Sequence, residues 1–311
     1  MIERVSFGGL PNCYRIANRT VEAIVSTDIG PRILRYALVG GENLLAELPH
    51  LTIPTSLGDW KPWGGHRLWV APEHMPESYA PDNVPIRFEL LGESAIQLDQ
   101  PIDLAGYEKR MTLELAPKGS NLSVHHRVTN RRESTVEIAP WAITAVSGPG
   151  ETLVPQEPFQ SHDDYLLPVR ALVLWSFTDL TDPRIMLGRK FLRLRTDAAR
   201  SEPQKFGVSN TQGWCAFHQE KSRNLFVKRH TWETGAVYAD KGANFETYTA
   251  GSYLELETLG PLRRLAPGES ADHTETWQLF PEIDLGPTGD TAHAAIQNAF
   301  TRSRSIESSG F

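Results

Sequence analysis

The sequence predicts an all-β protein. Short alternating or β-branched runs recur along the chain, and Gly, Pro, Asn and Asp interrupt them at close intervals. Long helical periodicity is nearly absent, which argues against alternating strand–helix units. With 311 residues, 40% of them hydrophobic and 22% charged, the chain has the length and apolar content for a packed core. Strands in that number call for two large sheets packed face to face, with one face left concave.

The first strand candidates are "TVEAIVST" (20–27) and "PRILRYALV" (31–39), closed by the turn "LVGGEN". A long stretch rich in proline and aromatics follows, 49–85, and a loop of that length in a compact domain is more often functional than merely connecting. The strands then resume as "IRFELL", "AIQLD", "KRMTLEL", "LSVHHRVT" and "TVEIAPWAITAV", separated by "LAPKGSN" and similar turns. The later set comprises "RALVLWSF", "KFLRLRT", "GWCAFHQ", "NLFVKRHTW", "ETYTA", "SYLELETL" and "ETWQLF". One helix is expected over 290–303, where Asp290 could cap and Ala292, Ile296 and Phe300 share a stripe. The domain reading is therefore a single β domain over 1–288 and a C-terminal helix with a frayed tail over 289–311, the fraying expected from 303.

Several function classes are disfavoured. The net charge is −7 and basic residues are scattered, so no nucleic-acid face is expected. No run approaches the roughly 20 apolar residues of a membrane helix, and the first residues lack a signal-peptide pattern. Cys13 and Cys215 stand far apart, which fits a reduced, cytoplasmic protein. A nucleophile elbow, a phosphate loop, a dinucleotide fingerprint and zinc spacing are all missing, so no cofactor or metal is expected. The pair Asp163 and Asp164 reads as solvated rather than as a cation site, and the sequence does not indicate an oligomeric state.

Three segments carry candidate chemistry. In "WGGHRLWVAPEH" (63–74), His66, Arg67, Trp69 and Glu73 offer a titratable ring, a forked donor, a flat apolar face and a carboxylate. A sugar site uses those types, because aromatic faces cover C–H patches while charged groups bond hydroxyls. In "LFVKRHTWE" (225–233), His230 near Trp232 is a second aromatic and titratable pair. The stretch "GANFETYTAGSYLELETLGP" (242–261) adds Asn244, Glu246, Tyr248, Tyr253, Glu255 and Glu257. Alternation puts Leu254 and Leu256 on one strand face, and Tyr253, Glu255 and Glu257 on the other. By the same parity His126 is a buried histidine and His125 an exposed one.

Taken with "STDIGPRILRY", "RVTNRRESTVEIAPWAITAV" and "LELETLGPLRRLAPGESADHTETWQLF", these segments resemble the galactose-mutarotase-like superfamily of aldose 1-epimerases and their relatives. "GGHRLWVAPE" and "NFETYTAGSYLELETLGPL" resemble an uncharacterised branch of it. The resemblance spans roughly 10–282 and implies a β-supersandwich whose concave sheet holds a small-molecule carbohydrate. It implies that Glu255 takes the position of the base acting on the anomeric hydroxyl, with His66 or His230 as acid. Arg67, Trp69, Glu73, Trp141, Asn244, Glu246, Tyr248 and Glu257 would bind the sugar. The chain departs from the family pattern at Trp141, which stands where the acid histidine is expected, and an indole delivers no proton at neutral pH. It departs again at Trp63, where hexose-phosphate relatives often have arginine. Three readings follow: a sugar 1-epimerase, a non-catalytic sugar binder, and a domain related to polysaccharide lyases.

Overall fold

A computed structural model describes the backbone of residues 1–308 and the side chains through 303. Two large antiparallel sheets hold nearly all of its strands. The first runs, in spatial order, Ile2–Phe7, Leu10–Ala17, Val21–Ser26, Arg32–Leu38, His66–Ala71, Val136–Ser147, Tyr253–Leu259, Phe245–Ala250, Gln204–Val208 and Leu172–Leu174. A short strand, Arg263–Leu265, also pairs with Val136–Ser147. The second sheet runs Arg87–Leu90, Ala95–Asp99, Tyr107–Leu115, Leu122–Asn130, Ser270–Phe280, Leu225–His230, Trp214–Gln219, Gly150–Pro155, Phe191–Arg195 and Ile185–Leu187. The all-β supersandwich expected from the sequence is the fold found.

The core follows from alternation. One face of each sheet is apolar, and the two faces meet in a continuous cluster. Val25, Tyr36, Leu68, Val146, Phe206, Phe245, Leu254 and Leu256 come from the first sheet; Ile96, Met111, Leu113, Val124, Phe217, Phe226 and Trp277 come from the second. Cys13 and Cys215 are free thiols buried within the protein.

The helix Gly289–Ser308 covers the outer face of the second sheet, where Ala292, Ile296 and Phe300 pack with Leu153, Trp214, Ala216 and Val227. The apolar stripe is the one the sequence predicts, but the cap is not. Thr288 Oγ1 accepts from the Thr291 N–H at 3.2 Å and its carbonyl accepts from Ala292 at 3.0 Å, while Asp290 sits inside the first turn. The helix also continues through the stretch expected to fray from 303; residues 309–311 lie outside those described.

One backbone crossing positions the candidate site. Trp63, Gly64 and Gly65 all have positive φ, at 59°, 83° and 67°. A Cβ on Gly64 would lie 1.9 Å from the Ala46 carbonyl oxygen, and one on Gly65 would lie 2.1 Å from that of Ile33. Only glycine fits there. The close crossing lets the chain leave the 49–62 loop and enter the His66–Ala71 strand at the centre of the sheet.

Candidate functional site

On the face of the first sheet turned away from the core lies a cavity of about 330 Å³. That is the size of a small-molecule site. Five neighbouring strands and the loops beside them build it. Arg67 and Trp69 come from His66–Ala71, and Trp141 and Ile143 from Val136–Ser147. Tyr253, Glu255 and Glu257 come from Tyr253–Leu259, Tyr248 from Phe245–Ala250, and Lys205 from Gln204–Val208. The parts of the 49–85 stretch on either side of the His66–Ala71 strand contribute Leu51, Ile53, Trp60, Glu73 and Tyr79, and Trp175 and Phe177 close the far wall.

Strand pairing sets which side chains meet. Tyr248 lies directly across from Glu255, Glu246 from Glu257, and Lys205 from Tyr248. Trp141 pairs with Trp69 on one side and Leu259 on the other. The row Tyr253, Glu255, Glu257 faces the cavity, while Leu254 and Leu256 go into the core.

Each cation in the wall is held by carboxylates and by two indoles. The Arg67 guanidinium lies 4.6 Å from the Trp69 ring and 5.3 Å from the Trp60 ring, and its Nη1 donates to Glu255 Oε1 at 3.0 Å. Such stacking suits a weakly hydrated guanidinium. The Lys205 ammonium lies 4.6 Å from Trp175 and 4.9 Å from Trp141. It bridges Glu246 Oε2 at 2.6 Å and Glu257 Oε2 at 2.9 Å. Trp141 Nε1 donates to the same Glu257 oxygen at 3.0 Å. Burial pushes the carboxyls of Glu246 and Glu257 above the ordinary carboxylate range, against the pull of Lys205. Burial alone would lower Lys205, but Glu257 and Glu246 hold it above the ordinary lysine range.

Of the residues expected from the sequence, Arg67, Trp69, Glu73, Trp141, Tyr248, Glu255 and Glu257 line this cavity. Glu246 joins them through Lys205. His66, His230 and Asn244 do not line it, which corrects the expectation that they touch a ligand there. Asn244 is structural: its side chain accepts from the Asn210 N–H and donates to the Asn210 carbonyl at 3.0 Å. His66 is adjacent to Arg67 in one strand, so it points the opposite way, between the sheets.

There His66 belongs to a second, fully buried polar system. Lys228 Nζ lies 2.8 Å from Glu275 Oε1 and donates to Thr144 Oγ1 at 2.8 Å and to the Leu256 carbonyl at 3.0 Å. His126 Nδ1 donates to the His273 carbonyl at 3.0 Å, so its Nε2 accepts from His66 Nε2 at 2.7 Å. His66 Nδ1 in turn accepts from Thr144 Oγ1 at 2.8 Å. Those donor directions are consistent with neutral rings. Burial holds His126 and His230 down to about 4 and His273 to about 3, and pushes His66 well below the ordinary range. The ligand atoms of His66, His126 and Glu275 lie within 4.8 Å of one another, close enough for a metal ion. Hydrogen bonds and the Lys228 ammonium already engage those atoms and account for the cluster.

Trp60, Tyr79, Trp175 and Phe177 join the wall beyond the set read from the sequence, and Lys205, which the sequence offers only as one of a few dispersed basic residues, lies among them. Tyr253, grouped with the late segment, is also in the wall.

No protein-family model matches the chain, and no curated protein matches it in sequence. Solved structures do. A galactose mutarotase-like protein from Lactobacillus casei superposes over 86% of this chain and 100% of its own, at a TM-score of 0.55 and 12% identity. The chain has the galactose mutarotase-like fold. A candidate aldose 1-epimerase from Klebsiella pneumoniae shares that fold over 96% of this chain and 86% of its own, at a TM-score of 0.57 and 12% identity. A candidate mutarotase from Salmonella typhimurium does so over 87% and 91%, at 0.57 and 11%. Among the described residues no helix is long and apolar enough to cross a membrane.

Proposed function

We propose that the cavity binds a sugar and that the protein acts on it as a 1-epimerase, with Glu255 as the base. One observation carries the reading: the row Tyr253, Glu255, Glu257 lines a cavity walled by Trp60, Trp69, Trp141 and Trp175. Indole faces cover the C–H patches of a pyranose, and the carboxylates and tyrosine hydroxyls bond its hydroxyls. The fold supports the same reading, since several solved proteins sharing it are described as mutarotase-like. Glu255 would take the proton of the anomeric hydroxyl, Arg67 would fix the Glu255 carboxylate, and the ring would open and reclose on its other face.

A second reading is a non-catalytic sugar binder. It draws on the fact that, among the described residues, no histidine lines the cavity. Saturation-transfer NMR and thermal unfolding with common neutral, acidic and phosphorylated monosaccharides test both. The epimerase reading expects a sugar that raises the unfolding midpoint and whose anomers exchange faster with protein present. A ligand that stabilises without exchange selects the binder. If no sugar stabilises the protein, both readings fall.

A further inference from the structure

Resting on the epimerase reading, we infer that Glu257 is the general acid that works opposite Glu255. Both side chains line the cavity from alternate positions of one strand. Their Cα atoms are therefore about 7 Å apart. Two carboxyl groups at that spacing reach one anomeric centre, whose two oxygens are bonded to the same carbon.

The surroundings divide the roles. Glu255 is ion-paired with Arg67. Glu257 is 1% exposed, and its Oε2 is taken by Trp141 Nε1 and Lys205 Nζ. Its Oε1 is buried with no hydrogen-bond partner, as is Glu246 Oε1, so either carboxyl offers an oxygen for the proton the pair keeps. Two carboxyls in unlike environments is the pattern by which one serves as acid and its neighbour as base.

The charged and titratable groups around Glu257 come from each neighbouring strand. Lys205 and Glu246 face it across the hairpin side, Arg67 stands beyond Ile143, and Tyr248, Tyr253 and Glu255 share its face. Asp240 bears on Glu246. Glu246 and Glu257 flank one ammonium, so a proton kept by the pair leaves the buried trio neutral. Glu257 is the member of that pair that lines the cavity. Among the other proton donors in the wall, Tyr79, Tyr248 and Tyr253 are raised by burial and Lys205 by its glutamates, while Glu73 accepts from the Tyr79 hydroxyl. Trp141 cannot replace a histidine as donor, but it fixes the carboxyl that does.

The step balances. Glu255 removes the proton from the C1 hydroxyl as the bond from C1 to the ring oxygen breaks, and Glu257 gives its proton to that ring oxygen. The open-chain aldehyde turns about its C1–C2 bond. The ring oxygen then attacks the other face of C1, returning its proton to Glu257, while the C1 oxygen takes its proton back from Glu255.

The test compares wild type, Glu255→Gln, Glu257→Gln and Glu257→Asp across pH with the sugar found by the binding screen. Wild type should show a bell-shaped rate profile. Glu257→Gln should still bind the sugar, lose about 10²- to 10⁴-fold in exchange rate, and lose the fall in rate at high pH. Glu257→Asp, which keeps a carboxyl, should lose less and keep that fall. If Glu255→Gln is inactive but Glu257→Gln stays within threefold of wild type, or keeps the high-pH fall, the acid assignment is overturned and the base assignment stands. A wild type that binds sugars without exchanging anomers overturns both.

Discussion

Trp141 and Glu257 are joined by a 3.0 Å hydrogen bond across two neighbouring strands. The indole both walls the cavity and fixes a buried carboxyl. Trp141→Phe keeps an aromatic face but removes that donor together with part of the buried indole's volume. It should cost about 1–3 kcal/mol in chemical denaturation, combining the net worth of a hydrogen bond to a protonated carboxyl with the lost buried ring volume. An unchanged midpoint would mean the bond contributes nothing.

Among the described residues Lys205 is the sole cation bridging Glu246 and Glu257. Lys205→Met should destabilise by about 3–5 kcal/mol at neutral pH, since it leaves buried carboxylates uncompensated. The direction with pH follows from their raised values. A group whose folded value lies above its unfolded one stabilises below the unfolded value and loses that as pH rises, so the variant's deficit relative to wild type should shrink on acidification through pH 5. Equal losses at pH 5 and pH 8 would contradict this.

The histidines between the sheets make the opposite prediction for the wild type. His126 and His230 titrate at about 4 and His273 at about 3 when folded, against about 6.5 unfolded. Below pH 6.5 the unfolded chain takes up protons that the folded one refuses, so stability should fall as pH drops from about 6.5 towards about 4. Lys228 holds Glu275 below the ordinary carboxylate range against its burial, which extends the loss to lower pH. Glu246 and Glu257 oppose the trend but are fewer than the histidines. Denaturation midpoints between pH 4.5 and 7.5 measure the slope, and a flat profile would refute it.

Gly65→Ala tests the crossing that aims Arg67 and Trp69. It places a Cβ 2.1 Å from the Ile33 carbonyl oxygen at a left-handed φ of 67°. A loss of about 2 kcal/mol or more is expected, together with weaker sugar binding. Gly40→Ala, also at positive φ but with nothing within 4 Å of its Cβ, should cost less.

The fold was legible because alternation and turn residues agree along almost the whole chain. The face of Tyr253, Glu255 and Glu257 was legible for the same reason. Naming both His66 and Arg67 for one surface contradicts that rule, since neighbours in a strand point apart; the structure resolves it in favour of Arg67. Asn244 sits beside the right hairpin but just before its strand begins, where it ties a loop instead. Lys205 carries no local signal. Its place comes from pairing with Tyr248 in a strand distant in sequence, and register between remote strands is not written in either segment alone.

The strand that bears Glu255 and Glu257 is gripped on its reverse side as well, where Lys228 bonds the Leu256 carbonyl. Damage at position 228 would therefore reach the cavity wall through the backbone, without any side chain of the wall being altered. A mutational survey scored by activity alone would list Lys228 among the functional residues; scoring the same variants for folding would move it to the framework.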